Sequence, residues 1–210
     1  KSRLKEFSEI LKKNFKNKIY LHEFDILNEN NIKNFFDNLE IIPEIIISTI
    51  GIMDQPKKSI KYSINEIINT NYLKQVLFFE YASNYLTKNN SDSTIISFGS
   101  VSGERGRKEN YIYGSSKAGL HCYMSGLRQR YHKKRLNIIT MIPGYIDSEM
   151  LDSKIKKKFP KFLIAKPSKV AKIVYLSYIK NKSVVYTPFW KIIIILIKLI
   201  PEALFKKLSF

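Results

Sequence analysis

Cysteine, histidine and early glycine are scarce in this chain, and each scarcity removes a class of chemistry. Cys122 is the only cysteine among 210 residues, so there is no intrachain disulfide and no cysteine metal cluster. A reducing cytoplasm suits that composition. The three histidines, His22, His121 and His132, are scattered without ligand spacing, so no metal site is expected. Each reads by default as a surface or half-buried side chain. No glycine precedes Gly51, so residues 1–50 hold no glycine-rich phosphate-binding turn. Acidic residues are also in the minority, 18 against 36 Lys plus Arg, for a net charge of +18. Such a charge suits nucleic acid or an anionic membrane. The lysines are dispersed, however, with no zinc-finger spacing, RNA-binding aromatic signature or basic heptad. Lys, Asn and Ile are abundant throughout, so compositional drift is the better account and no nucleic-acid partner is expected. The first 15 residues are amphipathic and charged, unlike a signal peptide.

What is present is enough for a core. Hydrophobic residues make up 44% and aromatics 13%, which argues against disorder, and the length suits one domain over 1–210. Helical spacing of Leu4, Phe7, Ile10, Leu11 and Phe15 predicts an amphipathic helix over 2–16, and Ile32, Phe35, Phe36 and Leu39 predict another over 28–39. A helical region spans about 59–87, and further helices are predicted at 111–133 and 168–180. Strands are predicted at 19–24, 44–50, 94–98, 136–142 and 184–186. Ile45-Ile46-Ile47 is apolar without alternation, as in a parallel strand covered on both faces. The alternation of strand and helix predicts an α/β parallel sheet wrapped by helices.

Tyr111-Ile112-Tyr113-Gly114-Ser115-Ser116-Lys117-Ala118-Gly119-Leu120 is the densest chemical signal. Tyr113 and Lys117 are four residues apart, one turn along a single helix face. An ammonium near a phenol lowers its pKa, making it a usable acid or base. Y-x-x-x-K alone is common. Here Ile95 to Gly103 adds an apolar strand running into a small-residue turn, with Ser100 13 residues before Tyr113. Asn71 lies further upstream; Asn69 is its neighbour and competitor.

Together Asn71, Ser100, Tyr113 and Lys117 resemble the short-chain dehydrogenase/reductase family. The resemblance implies a Rossmann-like fold and a nicotinamide cofactor, NAD or NADP, with reduction of a ketone to an alcohol. It implies Tyr113 as proton donor and Lys117 as the residue that tunes it and binds the ribose. Ser100 becomes the oxyanion donor and Asn71 the anchor of a relay water. It also implies a homo-oligomer. Asp25 and Ile26 then follow the strand where the family meets adenine, although Asp25 is also a good helix-capping residue. Gly51 is what remains of the family's N-N-A-G turn. Pro143, Gly144, Ile146 and Ser148 match the stretch beside the nicotinamide, with serine for the usual threonine.

The resemblance places Lys1 just after the family's second strand. The first two strands and the glycine-rich turn are then absent, and an N-terminally incomplete reductase is expected. A natural chain with a rearranged sheet is the other reading. If it is incomplete, residues 1–210 alone should bind dinucleotide poorly and be inactive.

The run S-G-E-R-G-R-x-x-N-x-x-Y-G-S-S-K-A-G-L more closely resembles bacterial reductases acting on a lipid-linked keto-pentose, the decaprenylphosphoryl-2-keto-erythro-pentofuranose reductase group. That resemblance implies a keto-sugar on a polyprenyl-phosphate carrier in cell-wall polysaccharide synthesis, with Arg105 and Arg107 suited to its phosphate. A general ketoreductase acting on a soluble carbonyl, a 3-oxoacyl thioester or a sugar, and a non-catalytic reductase-like subunit are the alternatives. The tail 187–210 is apolar and basic. Six apolar residues between Lys191 and Lys198 fall far short of the roughly 20 needed to span a membrane. It either packs on its own domain or on a second subunit, or lies peripherally on the inner face of the cell membrane, and the two readings stand level.

Overall fold

A parallel sheet needs crossover helices between its strands, and the chain is built in that pattern. The computed structural model describes residues 2–54, 61–89 and 92–208. Helix α1 is Ser2–Asn14 and α2 is Glu29–Asp37. Strand β1 is Ile45–Ser48 and α3 is Ile64–Ile68. The Ser63 hydroxyl accepts from Glu66 N–H while the Glu66 carboxylate accepts from Ser63 N–H, a capping box that starts α3. The predicted start of this helical region, at Ser59, lies outside the described residues. A π-helical turn, Asn69–Leu73, joins α3 to α4, Lys74–Lys88.

Strand β2 is Ser93–Phe98, α5 is Tyr111–Arg130 and β3 is Leu136–Ile142. A two-residue pairing of β4 (Tyr145–Ile146) with β5 (Ile164–Ala165) brackets α6, Ser153–Lys158, and is not legible as periodicity. Then come α7 (Pro167–Ile179), β6 (Val184–Tyr186), α8 (Trp190–Leu199) and α9 (Glu202–Phe205).

The main sheet has order β1-β2-β3-β6, all parallel, with Ile46 opposite Ile95 and Ile95 opposite Ile138. Side chains alternate across it. Ile46, Ile95 and Ile138 face a core with Phe36, Phe79, Leu86, Leu120 and Met124 from α2, α4 and α5. Ile96, Ile139 and Met141 face the other way, against Val170 and Val174 of α7. A third cluster joins Val101 and Ile142 to Trp190 and Ile194 of α8.

Two expectations fail at the N-terminal side. Residues 19–24 form no strand, and Tyr20 and Leu21 are exposed. A strand needs a neighbour to bond with, and among the described residues none lies on the outer edge of β1. For the same reason Ile47 is 50% exposed although its strand reads as buried on both faces. The apolar stripe of α1 is likewise uncovered: Leu4, Phe7 and Ile10 are exposed, and Ser8 is the buried side chain.

Candidate active site

The C-terminal ends of parallel strands are where open α/β sheets leave a crevice. Gly51 lies beyond the end of β1, Ser100 just after β2 and Pro143 just after β3, so the three turns lie along one edge. Helix α5 then seats its first turn against the β2 turn. A Cβ on Gly114 would lie 2.7 Å from the Ser102 carbonyl oxygen, so this approach requires glycine.

Asn71 is fully buried in the π-helical turn. A π turn inserts one extra residue and re-aims a side chain. Here the Asn71 amide accepts from Ile52 N–H and donates to Ile52 C=O, both at 2.7 Å, and donates to Ser116 Oγ at 3.3 Å. It pins the loop after β1 to α5. It is not the solvated helix residue that its polarity alone suggests.

Lys117 is 3% exposed. Its ammonium donates to the Phe98 carbonyl at 2.9 Å, with no second acceptor among the described residues. Burial pulls its pKa down to about 8. Tyr113 is hydrogen-bonded to Ser100, which lowers its pKa, but burial is stronger and holds the phenol above its ordinary value. The expected tuning of Tyr113 by Lys117 is therefore not seen. The ammonium reaches past the ring, 5.9 Å from its centroid, to the end of β2. Gly51 closes the set: a Cβ there would sit 3.3 Å from Lys117 Nζ and 3.4 Å from Asn71 Oδ1.

Ser100, Tyr113, Pro143, Gly144, Ile146 and Ser148 line one cavity of about 610 Å³. The cavity also takes Arg107, Asn110, Tyr145, Lys158 and Phe159, along with the acids Asp54, Glu109, Glu149 and Asp152. Of these, the motif marks Arg107 and Asn110. Tyr145 is on β4, and the others come from loops and α6, whose sequence has no periodicity to reveal them. Arg107 and Asn110 both donate to Ser102 Oγ, at 2.7 and 3.1 Å, which fixes them at the rim.

Asp25 and Ile26 are not brought to this cavity. Asp25 is exposed and accepts from Leu27 N–H at 2.9 Å, a turn ahead of α2. Ile26 packs with Phe24 on the core. Without a strand at 19–24 nothing carries Asp25 to the strand ends. Arg105 also departs from expectation. Its guanidinium donates to the Ile197 and Ile200 carbonyls, pairs with Glu202 at 3.0 Å and stacks 3.7 Å from the Phe205 ring centroid. It caps the C-terminal end of α8, leaving it unavailable to a ligand phosphate. Trp190, 4% exposed, packs where a Gly144 Cβ would lie, and its Nε1 donates to Leu163 C=O at 2.9 Å. Gly144 N–H donates to Thr187 Oγ1 at 2.9 Å. The tail thus packs on the protein through one face, and among the described residues no helix is long and apolar enough to cross a membrane.

The chain belongs to the short chain dehydrogenase family, whose model matches residues 1–158. An uncharacterized oxidoreductase of Mycobacterium tuberculosis is 28% identical over 144 residues, 68% of this chain and 55% of the relative. Ketoacyl reductase HetN of Nostoc is 30% identical over 121 residues, 57% of this chain and 42% of the relative. The chain thus spans about half the length of the curated relatives it matches. Among solved structures, a short-chain dehydrogenase from Sphingobium yanoikuyae in complex with NADPH has a TM-score of 0.78 at 15% identity, covering 97% of this chain and 84% of that one. One from Burkholderia cenocepacia in complex with NADP has a TM-score of 0.71 at 19% identity, covering 90% and 80%. These likenesses concern the α/β Rossmann-like fold.

Proposed function

We propose that this chain is the catalytic part of an NAD(P)-dependent reductase that converts a ketone to an alcohol. The observation that carries the reading is Lys117. A buried ammonium with one acceptor is costly, and its two remaining N–H groups face no partner among the described residues. They suit the vicinal hydroxyls of a nicotinamide ribose, which makes the residues present a fit for that half of the dinucleotide. Pro143, Gly144, Ile146 and Ser148 would flank the nicotinamide. When bound, the cofactor supplies hydride to the carbonyl carbon. Ser100 donates a hydrogen bond to the oxygen as it gains charge. Tyr113, whose raised pKa keeps it protonated at neutral pH, delivers a proton to that oxygen. Lys117, held close by the ribose, favours the phenolate left behind. Asn71, by holding Ile52, keeps the loop under Gly51 in place, and a water on its amide can return the proton.

As the finer reading, the substrate is a keto-sugar on a polyprenyl-phosphate carrier used in cell-wall synthesis. Arg107, oriented at the cavity rim by Ser102, supports it as a phosphate ligand; Arg105 does not. The outer face of α8 and α9 supports it as well. Ile192, Ile195, Leu196, Leu199 and Leu204 are exposed beside Lys191, Lys206 and Lys207, a pattern that suits the surface of an anionic membrane. Relatives named 3-oxoacyl-[acyl-carrier-protein] reductase favour a 3-oxoacyl thioester as the second reading, by the same chemistry.

The edge of β1, unpaired among the described residues, and the exposed Ile47 support one reductase domain, 1–210 with 187–210 as its tail, that lacks the first two strands and the glycine-rich turn. Reading the coding sequence upstream of Lys1 tests this. Residues 1–210 alone should then bind NADPH weakly in a nicotinamide-fluorescence titration. In the full-length enzyme, NADPH oxidation with lipid-phosphate ketose and with 3-oxoacyl thioester separates the two substrates. Loss of turnover in Tyr113→Phe is expected with either, and an unchanged rate would overturn the assignment. Sedimentation with phosphatidylglycerol vesicles, compared with phosphatidylcholine vesicles, tests the tail.

A further inference from the structure

His121 lies one helical turn beyond Lys117 on α5, and its ring fills the space beside Gly99, where a Cβ would come within 2.0 Å of Nε2. Its two nitrogens have different partners. Nδ1 lies 3.2 Å from the Glu104 carboxylate, and Nε2 accepts from the Ser100 backbone N–H at 3.2 Å. A ring with both contacts must carry its proton on Nδ1, because Nε2 is already facing a donor. The Glu104 side chain is 9% exposed, and its carboxylate is held in turn by Lys198 of α8. The hydrogen bonds from His121 and Lys198 keep that carboxyl ionised, with its pKa down at about 2.

We propose that His121 and Glu104 are positioning residues that fix Ser100 through its backbone N–H, and that Lys198 ties helix α8 into the same chain of contacts. The inference rests on the reading of Ser100 as the donor to the reacting oxygen. Beyond its backbone, the Ser100 side chain is held only through its hydroxyl, which is hydrogen-bonded to Tyr113. It stands in extended backbone at the head of the turn Val101–Gly103, where its hydroxyl accepts from Ser102 N–H at 3.1 Å. If the Ser100 peptide rotates, that hydroxyl moves relative to Tyr113. The tilt of the Ser100 peptide is set from one side by His121 and from the other by the Val101 N–H bond to Pro143 C=O at 3.0 Å. The C-terminal helix thereby reaches the reacting centre through side chains that never touch substrate.

The test uses the full-length enzyme. Nitrogen-15 NMR of the imidazoles, with the His121 signal identified by its loss in His121→Gln, should show the Nδ1–H tautomer; an Nε2–H tautomer would overturn the proposal. In steady state, His121→Leu should lower kcat by about tenfold to a hundredfold with little change in KM, the scale of a small misplacement at the reacting atoms. His121→Gln, whose amide can accept from Ser100 N–H and donate to Glu104, should recover most of it. Equal losses in Leu and Gln, or none in Leu, would overturn the proposal. Should His121→Leu fail to fold, Lys198→Met is the second variant. Its kcat should fall while the vesicle-free Tm changes by no more than a surface pair, and unchanged kcat would remove α8 from the chain of contacts. An enzyme with no ketone turnover at all would defeat the proposed function, while the tautomer would still report on the contacts themselves.

Discussion

Lys117→Met should stabilise the protein while abolishing its chemistry. At neutral pH the wild-type chain keeps an ammonium buried against one carbonyl, with its pKa lowered from 10.5 to about 8. That drop corresponds to about 3 kcal/mol of preference for the neutral form relative to the unfolded chain. Methionine removes this penalty, fills a similar volume and gives up the bond to Phe98 C=O, about 1 kcal/mol. The expected net gain is about 2 kcal/mol, or a rise of about 4–8 °C in Tm for a chain of this size. The pH dependence gives the sign independently. Between pH 8 and 10.5 the unfolded chain binds the Lys117 proton and the folded chain does not. Wild-type stability therefore rises with pH in that window, by up to about 1.4 kcal/mol per unit from this group. The difference between wild type and Lys117→Met, measured by urea denaturation at pH 7, 9 and 10, should shrink as pH rises. A variant less stable than wild type at pH 7, with a constant difference at higher pH, would refute the reasoning.

Arg105→Ala should cost about 2 kcal/mol, since it removes two bonds to the last carbonyls of α8, the Glu202 pair and the stack on Phe205. Limited proteolysis should then cut near residue 200 sooner than in wild type. Asn71→Ala leaves both Ile52 backbone groups without their side-chain partner in a half-buried loop and should destabilise by about 1–3 kcal/mol; equal urea midpoints would contradict the clamp. Gly144→Ala would drive a Cβ into the Trp190 ring, at 2.1 Å. A loss of about 1–3 kcal/mol and a red shift in tryptophan emission are expected as the ring is displaced.

Most elements of the fold are written locally. The apolar runs at 94–98 and 136–142, the stop at Pro143-Gly144 and the helical spacing around Phe36 and Leu120 coincide with strands and helices in the structure. The strand expected at 19–24 shows the limit of that local signal. Alternation and β-branched residues describe a segment that fits a sheet, but the ladder is a contact between distant segments. The site divides in the same way. The spacing of Tyr113 and Lys117 on α5, and of Ser100 after β2, follows from the motif. That the Lys117 ammonium bonds to Phe98 C=O, 5.9 Å from the Tyr113 ring centroid, and that Arg105 caps α8 instead of facing the cavity, depends on which neighbours are within reach. His121 is a sharper case, since nothing in its flanking residues marks a histidine held between Glu104 and Ser100.

The sequence by itself determined the α/β alternation and the family, because both are carried by short-range spacing and side-chain chemistry. The tertiary structure decided the rest. Burial gave Lys117 its low pKa, the π turn gave Asn71 its grip on Ile52, and the return of the tail placed Trp190 against Gly144 and Lys198 against Glu104. These depend on desolvation and on contacts between segments as many as 94 residues apart, and no window of sequence contains both partners.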